Sequence, residues 1–381
     1  MSFPLRPATI LLTVRGSRAY GLHHADSDVD LGGVAIPPAN VLHGLAARFE
    51  QAEGDAMAAF LGDLHDDERA ATSRNKLEGT VYDLRKFLTL ALENNPNLFD
   101  LLFARDEELR VLTPLGRRLR DGRDRFLSAQ VRFTFSGYAT AQLRRIQGHR
   151  RWLLDPPKAP PARLDFGLPE NTLLPKDQLA AAEAGIRKQM TAWDLDDGGV
   201  APATRIALQN HVAGWLAEVS VTLGLEGDTL WLAAARKIGL DANLVQVMQR
   251  EREYEAAARH WRQYQDWVQH RNPARAALEA AHGYDTKHGA HLIRLLRMGR
   301  EILETGRVHV WRGPGGPDDA DELRAIRGGA WAYDRLLEEA TREEAALAAV
   351  WASGRAAVPV TPDRAWAEQL CVALIDEALR G

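Results

Sequence analysis

Cysteine is all but absent: Cys371 stands alone among 381 residues. A single thiol builds neither a disulfide framework nor a zinc cluster, and it suits a reducing compartment. We read it as a small core residue. Long apolar runs are missing too, since none approaches the roughly 20 residues of a membrane span. The opening stretch, 1–13, is short for a secretory signal and contains two prolines. These absences predict a soluble, cytoplasmic protein with no membrane partner. An excess of positive charge is also lacking, the formal net charge being −4. Proteins that coat nucleic acid over a long footprint are usually basic. Any nucleic-acid contact must therefore come from a local patch. No fixed-period repeat is visible.

What is present is an ordinary globular balance, 45% hydrophobic and 26% charged, with ample material for a core. At about 100–200 residues per domain, the length suggests two domains. Thr9–Arg15, Val29–Pro37 and Leu77–Leu84 read as strands from their apolar, β-branched or alternating character. Ser17–His23 is a short helix candidate. The segment 51–75 is weakly patterned and reads as a mobile surface excursion. From Asp83 the period turns helical, stopping at Asn94-Asn95-Pro96. Further helices fit Arg132–Leu154, Gln178–Trp193, Ala203–Leu223, Thr229–Gly239, Val245–Gln269, Asp285–Gly306, Asp321–Arg327, Ala330–Val350 and Pro362–Arg380. Residues 156–163 form a proline-rich connector, and 313–319 a loop. The expected fold is α+β: a mixed-sheet core over 1–130, then a larger all-helical domain over 131–381.

The stretch from Gly16 to Asp30 carries the chemistry. Gly16-Ser17 lies at a strand-to-helix turn, where backbone N–H groups receive anions and glycine lets a phosphate approach the chain. Asp28-x-Asp30 enters a strand, so both carboxylates point to one face. Such a pair repels itself unless a cation lies between. Mg²⁺ (or Mn²⁺) takes carboxylate and phosphate oxygens together. A phosphate cradle beside a metal platform suits in-line attack on a nucleoside triphosphate such as ATP. Asp26 reads as a turn residue, and His23 and His24 as solvated. Arg18 could reach a phosphate or simply cover the loop.

The run Gly16-Ser17-x(10)-Asp28-x-Asp30 resembles the signature of the DNA polymerase beta-like nucleotidyltransferases. The blocks 84–103, 135–153 and 283–306 resemble one branch, the RNA repair pathway DNA polymerase beta family. The resemblance implies a third carboxylate on a neighbouring strand. Glu78 is the first choice, although most members carry Asp there, and Asp83 is the alternative, reading better as an N-cap. It also implies that a helical second domain supplies cations to the triphosphate. Lys287, His291 and Arg294 share one helix face and fit that role, Lys287 foremost. Tyr138, Gln142, Arg145 and His149 share another face, with Arg145 suited to a phosphate; the bland reading of both is a solvated basic surface. Arg85 and Lys86 could touch substrate or be helix-surface charge. Trp261, Trp267, Tyr254 and Tyr264 read as packing rather than base-stacking groups. The implied reaction moves a nucleoside monophosphate to an acceptor hydroxyl, with an RNA 3′ end (possibly of a tRNA) leading. The rivals are transfer to a protein side chain or small molecule, and a non-catalytic nucleotide- or RNA-binding module.

Overall fold

The computed structural model describes residues 3–24, 27–45, 48–73, 77–172 and 242–380, with short pieces between 177 and 240. The expected helices at 178–193, 203–223 and 229–239 fall wholly or mostly outside the described residues, as does Asp26.

Among the described residues five strands form one mixed sheet: β1 (Thr9–Arg15), β2 (Val29–Ala35), β3 (Gln51–Glu53), β4 (Leu77–Asp83) and β5 (Leu109–Leu112), in the order β3-β4-β2-β1-β5. β2 and β4 run parallel, and the other neighbours antiparallel. The apolar run of β1 is buried along almost its whole length, as expected of a strand covered on both faces. Leu11 and Val34 point into one core layer, and Leu12, Val14, Leu31 and Val81 into the other.

Among the described residues the α-helices include, in chain order, α1 (Leu5–Ala8), α2 (Gly16–Ala19), α3 (Ala39–Leu42), α4 (Asp66–Thr72), α5 (Leu84–Leu92), α6 (Pro96–Leu102), α7 (Pro114–Asp121), α8 (Val131–Leu154), α9 (Ala242–His270), α10 (Pro273–His282), α11 (Thr286–Thr305), α12 (Ala320–Arg327), α13 (Tyr333–Ala352) and α14 (Arg364–Arg380). The fold class is α+β, a mixed sheet with helices and then helical structure. The Leu11 face is covered by Phe87 of α5, Phe99 of α6, Phe135 of α8 and the apolar side of α11.

The expectation of a mobile excursion over 51–75 is corrected. That segment supplies β3, a 3-10 helix (Gly54–Asp63) and α4. Met57 and Phe60 are fully buried beneath the Leu31 face. A 3-10 turn places side chains three residues apart above one another, which neither strand nor α-helix spacing reveals.

By its contacts the chain divides into two compact units, and the cut differs from 1–130 and 131–381. One unit joins residues 1–155 to 272–381; the other is 156–271. The first is discontinuous because α11 packs along α8 and against α12 and α13. In the second unit, Arg163 pairs with Glu251 of α9, at 2.9 Å through Nη1, and Phe166 meets Tyr254 edge-on. Trp261, Tyr264 and Trp267 of α9 contact one another in sequence, with ring centroids 5.9 and 6.1 Å apart.

Candidate active site

The carboxylates sit where β2 and β4 begin. Strand register pairs Asp30 with Glu78, and Arg15 of β1 with Asp30 on the other side. The alternation of β2 puts Asp30 on the face of Val34, toward the α8–α11 layer. Asp28 and Glu78 are exposed and Asp30 half-buried, so the group opens to solvent. Burial raises the Asp30 pKa, and the negative charges of Glu78 and Asp28 add to that rise. The charges of Arg15 and Lys287 oppose it. Three carboxylates thus act on one spot, and all their donor atoms are oxygens.

Gly16 lies directly beneath. Its φ of +64° is left-handed, which glycine adopts without penalty. A Cβ there would collide with Asp30 Oδ2 and stand 3.1 Å from Asp30 Cγ. The helix expected over Ser17–His23 is one turn, starting a residue earlier. Tyr20 N–H donates to Gly16 O at 3.1 Å and Leu22 N–H to Ser17 O at 2.7 Å. The turn ends at Gly21, with φ +75°, whose bare Cα faces the Trp311 ring.

Arg18 points its Nη1 to Asp67 of α4 at 3.1 Å, while its Nε is buried without a partner among the described residues. His23 and His24 are exposed. Burial lowers the His23 pKa, and Arg18 lowers it further.

The third-strand alternatives separate cleanly in space. Glu78 is the register partner of Asp30. Asp83 lies five residues along β4, about 16 Å at ~3.3 Å per residue. It is buried and caps α5, accepting from Arg85 N–H at 2.9 Å. Arg85 folds back onto that carboxylate, and Lys86 pairs with Glu50 at 3.1 Å.

The two basic helix faces differ along their length. Lys287, in the first turn of α11, is exposed. Its ammonium is close enough to act on Asp30, and among the described residues it has no ion-pair partner. His291, one turn on, is half-buried. Burial pushes its pKa well below the ordinary value, and Arg294, His288, Lys287 and Arg145 push the same way. It is therefore a neutral hydrogen-bonding group rather than a cation. Arg294 is only 2% exposed and turns inward to Asp100; the structure does not bring it to the carboxylates. On α8, Arg145 is exposed and its charge reaches His288 and His291. Tyr138 is engaged with Asn95.

His149, Glu279 and Asp285 place donor atoms within 4.8 Å of one another. A cation is already among them: Arg275 pairs with Asp285 and, at 3.4 Å, with Glu279. His149 Nδ1 stands 3.2 Å from Asp285, which also accepts from His288 N–H at 3.1 Å to cap α11. This knot holds the start of the helix that carries Lys287.

Residues 6–152 match the family model of the RNA repair pathway DNA polymerase beta family. The match spans the whole sheet, the Gly16 turn, the three carboxylates and nearly all of α8. It implies a polymerase beta-like nucleotidyltransferase of an RNA repair pathway. No curated protein and no solved structure matches the chain.

Sequence reasoning missed several residues around this site. Arg15 ends an apolar strand and shares its face with Asp30; alternation alone would have found it. Arg324 and Arg327 of α12 donate to the carbonyls of Gly21 and Leu22, the latter at 3.1 Å. Arg105 stacks on Trp311, 3.7 Å from the ring centroid. Nothing local in sequence signals these long-range clamps. No described helix is long and apolar enough to cross a membrane.

Proposed function

We propose that this protein transfers a nucleoside monophosphate from a nucleoside triphosphate to an RNA 3′ hydroxyl, releasing pyrophosphate. The observation that carries the reading is the register of Asp30 with Glu78, with the charge of Asp28, just before β2, acting on Asp30 as well. An all-oxygen set of carboxylates crowding one another fits a hard divalent cation, and polymerase beta-like nucleotidyltransferases generally use divalent metals. Mg²⁺ or Mn²⁺ held by Asp28, Asp30 and Glu78 supplies Lewis acidity and neutralises phosphate charge.

The chain's own groups do the positioning, which provides most of the catalysis in phosphoryl transfer. The Gly16-Ser17 turn, built against Asp30, directs backbone N–H groups toward the phosphates in this reading. Lys287 is the exposed cation nearest the carboxylates in charge effect and meets the β- and γ-phosphates. Arg18 and Arg145 add positive charge at the rim. His291, held neutral, donates a hydrogen bond without changing the charge. In this reading the sheet and its glycine turn form the catalytic core, and α8 and α11 of the same unit cover the nucleotide.

The experiment incubates the full chain with each labelled nucleoside triphosphate and Mg²⁺ or Mn²⁺, then separates RNA, protein and small-molecule pools. Label at RNA 3′ ends, lost in Asp28→Ala and Asp30→Ala, is the expected result. Label on protein or a small molecule alone overturns the acceptor. Triphosphate binding without transfer to any pool overturns the enzyme.

A further inference from the structure

Helix α11 carries two basic residues in opposite surroundings. Lys287 is exposed in its first turn, and Arg294, about two turns further, is 2% exposed. A buried guanidinium is costly unless its charge is met. Arg294 Nη1 stands 3.4 Å from Asp100 Oδ1 on α6 and 2.8 Å from the Met298 sulfur. Its guanidinium carbon lies 3.7 Å from the centroid of the Tyr20 ring, the geometry of a desolvated cation–π contact. Tyr20 O–H donates to the other oxygen, Asp100 Oδ2. Tyr20, Asp100 and Arg294 therefore close a three-membered ring of contacts, each from a different element.

One member of that ring belongs to the phosphate turn. Tyr20 N–H is bonded to Gly16 O, and Tyr20 O accepts from Arg312 N–H at 3.2 Å. Its side chain is thus fixed to α6 and α11 while its backbone closes the turn beneath Asp30. Burial drives the phenol far above its ordinary pKa, so it stays a donor. A buried ion pair contributes little net stability compared with apolar packing, and in some proteins its use is to fix register.

We propose that Arg294 is a positioning residue: through Tyr20 and Asp100 it locks α11, and with it Lys287, to the Gly16 turn. The part concerning Lys287 rests on the triphosphate reading above; the lock itself does not. Lys cannot reproduce it, since an ammonium lacks the planar fork that stacks on a ring and reaches a carboxylate together.

The test uses the full chain with Arg294→Met, Arg294→Lys and Tyr20→Phe, the last keeping the ring but losing the O–H. Thermal unfolding identifies the folded variants, and Tyr20→Phe carries the test should both Arg294 variants fail to fold. Amide hydrogen exchange at Tyr20 and Leu22 should accelerate about tenfold or more, with β1 and β2 unchanged, since local opening is read amide by amide. Unchanged exchange at these two amides overturns the lock. The second readout is kcat/KM for the triphosphate in a cycle with Lys287→Ala. A loss of about tenfold from Lys287→Ala in the native chain should shrink to about threefold or less in an Arg294 or Tyr20 variant, because coupled residues are not additive. Full additivity overturns the role. A native chain that transfers nothing defeats the triphosphate reading instead, while the exchange result still decides the lock.

Discussion

Gly16 leaves vacant the space that the Asp30 carboxylate occupies: a Cβ on Gly16 would come to 3.1 Å from Asp30 Cγ and closer still to Oδ2. The turn proposed to receive phosphate and the residue proposed to hold metal are therefore built against each other. Gly16→Ala should cost about 1–3 kcal/mol from the left-handed backbone alone, and it should displace Asp30. Transfer is expected to fall by at least about a hundredfold, since small misplacements at a reacting centre carry such penalties. Thermal melts and turnover measured together check this. A stable Gly16→Ala variant with native turnover would show that the close approach is irrelevant.

Glu78 and Asp83 should separate by phenotype. Glu78→Gln keeps the shape but removes the charge beside Asp30, so transfer should collapse while the melting temperature holds or rises. Asp83→Ala removes the cap of α5 and should cost about 1 kcal/mol of stability, with transfer kept. The reverse pattern in the two assays would exchange their roles.

Lys287→Ala should raise KM for the triphosphate or lower kcat, without unfolding an exposed position. Arg145→Ala should weaken binding in a salt-dependent way, as phosphate contacts do. Titrations at low and high salt supply the comparison; salt-independent losses, or none, would leave both as solvated surface charges.

Acid should loosen the start of α11. Burial pushes His288 down to about 3, against the pull of Asp285. The unfolded chain takes up this proton below about 6.5, whereas the folded chain refuses it until about 3. The stability contributed by the neutral ring is therefore present above the unfolded pKa and lost as pH falls toward the folded one, by at most about 1.4 kcal/mol per pH unit. Burial raises the Asp285 pKa, but His149, His288 and Arg275 together hold it below the usual carboxylate range, which adds a loss in the same direction below about 4. In His288→Gln, denaturant midpoints between pH 6.5 and 4 should decline less steeply than in the native chain. Parallel curves would remove His288 from the account.

Much of the site was legible because local rules decide it. The apolar run ending at Arg15, the glycine turn and Asp28-x-Asp30 each obey strand alternation or turn chemistry, and those survive any tertiary context. Lys287 and Arg294 illustrate the limit. Seven residues apart, they lie on one stripe of α11, and periodicity assigns them one role. Depth along the helix axis separates them: one end meets solvent, and two turns later the stripe passes beneath Tyr20 and α6. Met57 and Phe60 were invisible for another reason, the 3-10 spacing. Arg324 and Arg327 reach carbonyls some 300 positions away in the chain, a pairing no local pattern encodes.

The discontinuity of the first unit sets an order of events during synthesis. The sheet, the glycine turn and all three carboxylates leave the ribosome within the first third of the chain. The helix bearing Lys287 and Arg294, and the arginines that clamp Gly21 and Leu22, emerge only after the intervening unit has been made. Tyr20 and Asp100 are both made before that interval, and Arg294 only after it. In the proposed reading a nascent chain thus carries its acidic residues long before it carries Lys287, and competence arrives with the return of the polypeptide to its own beginning.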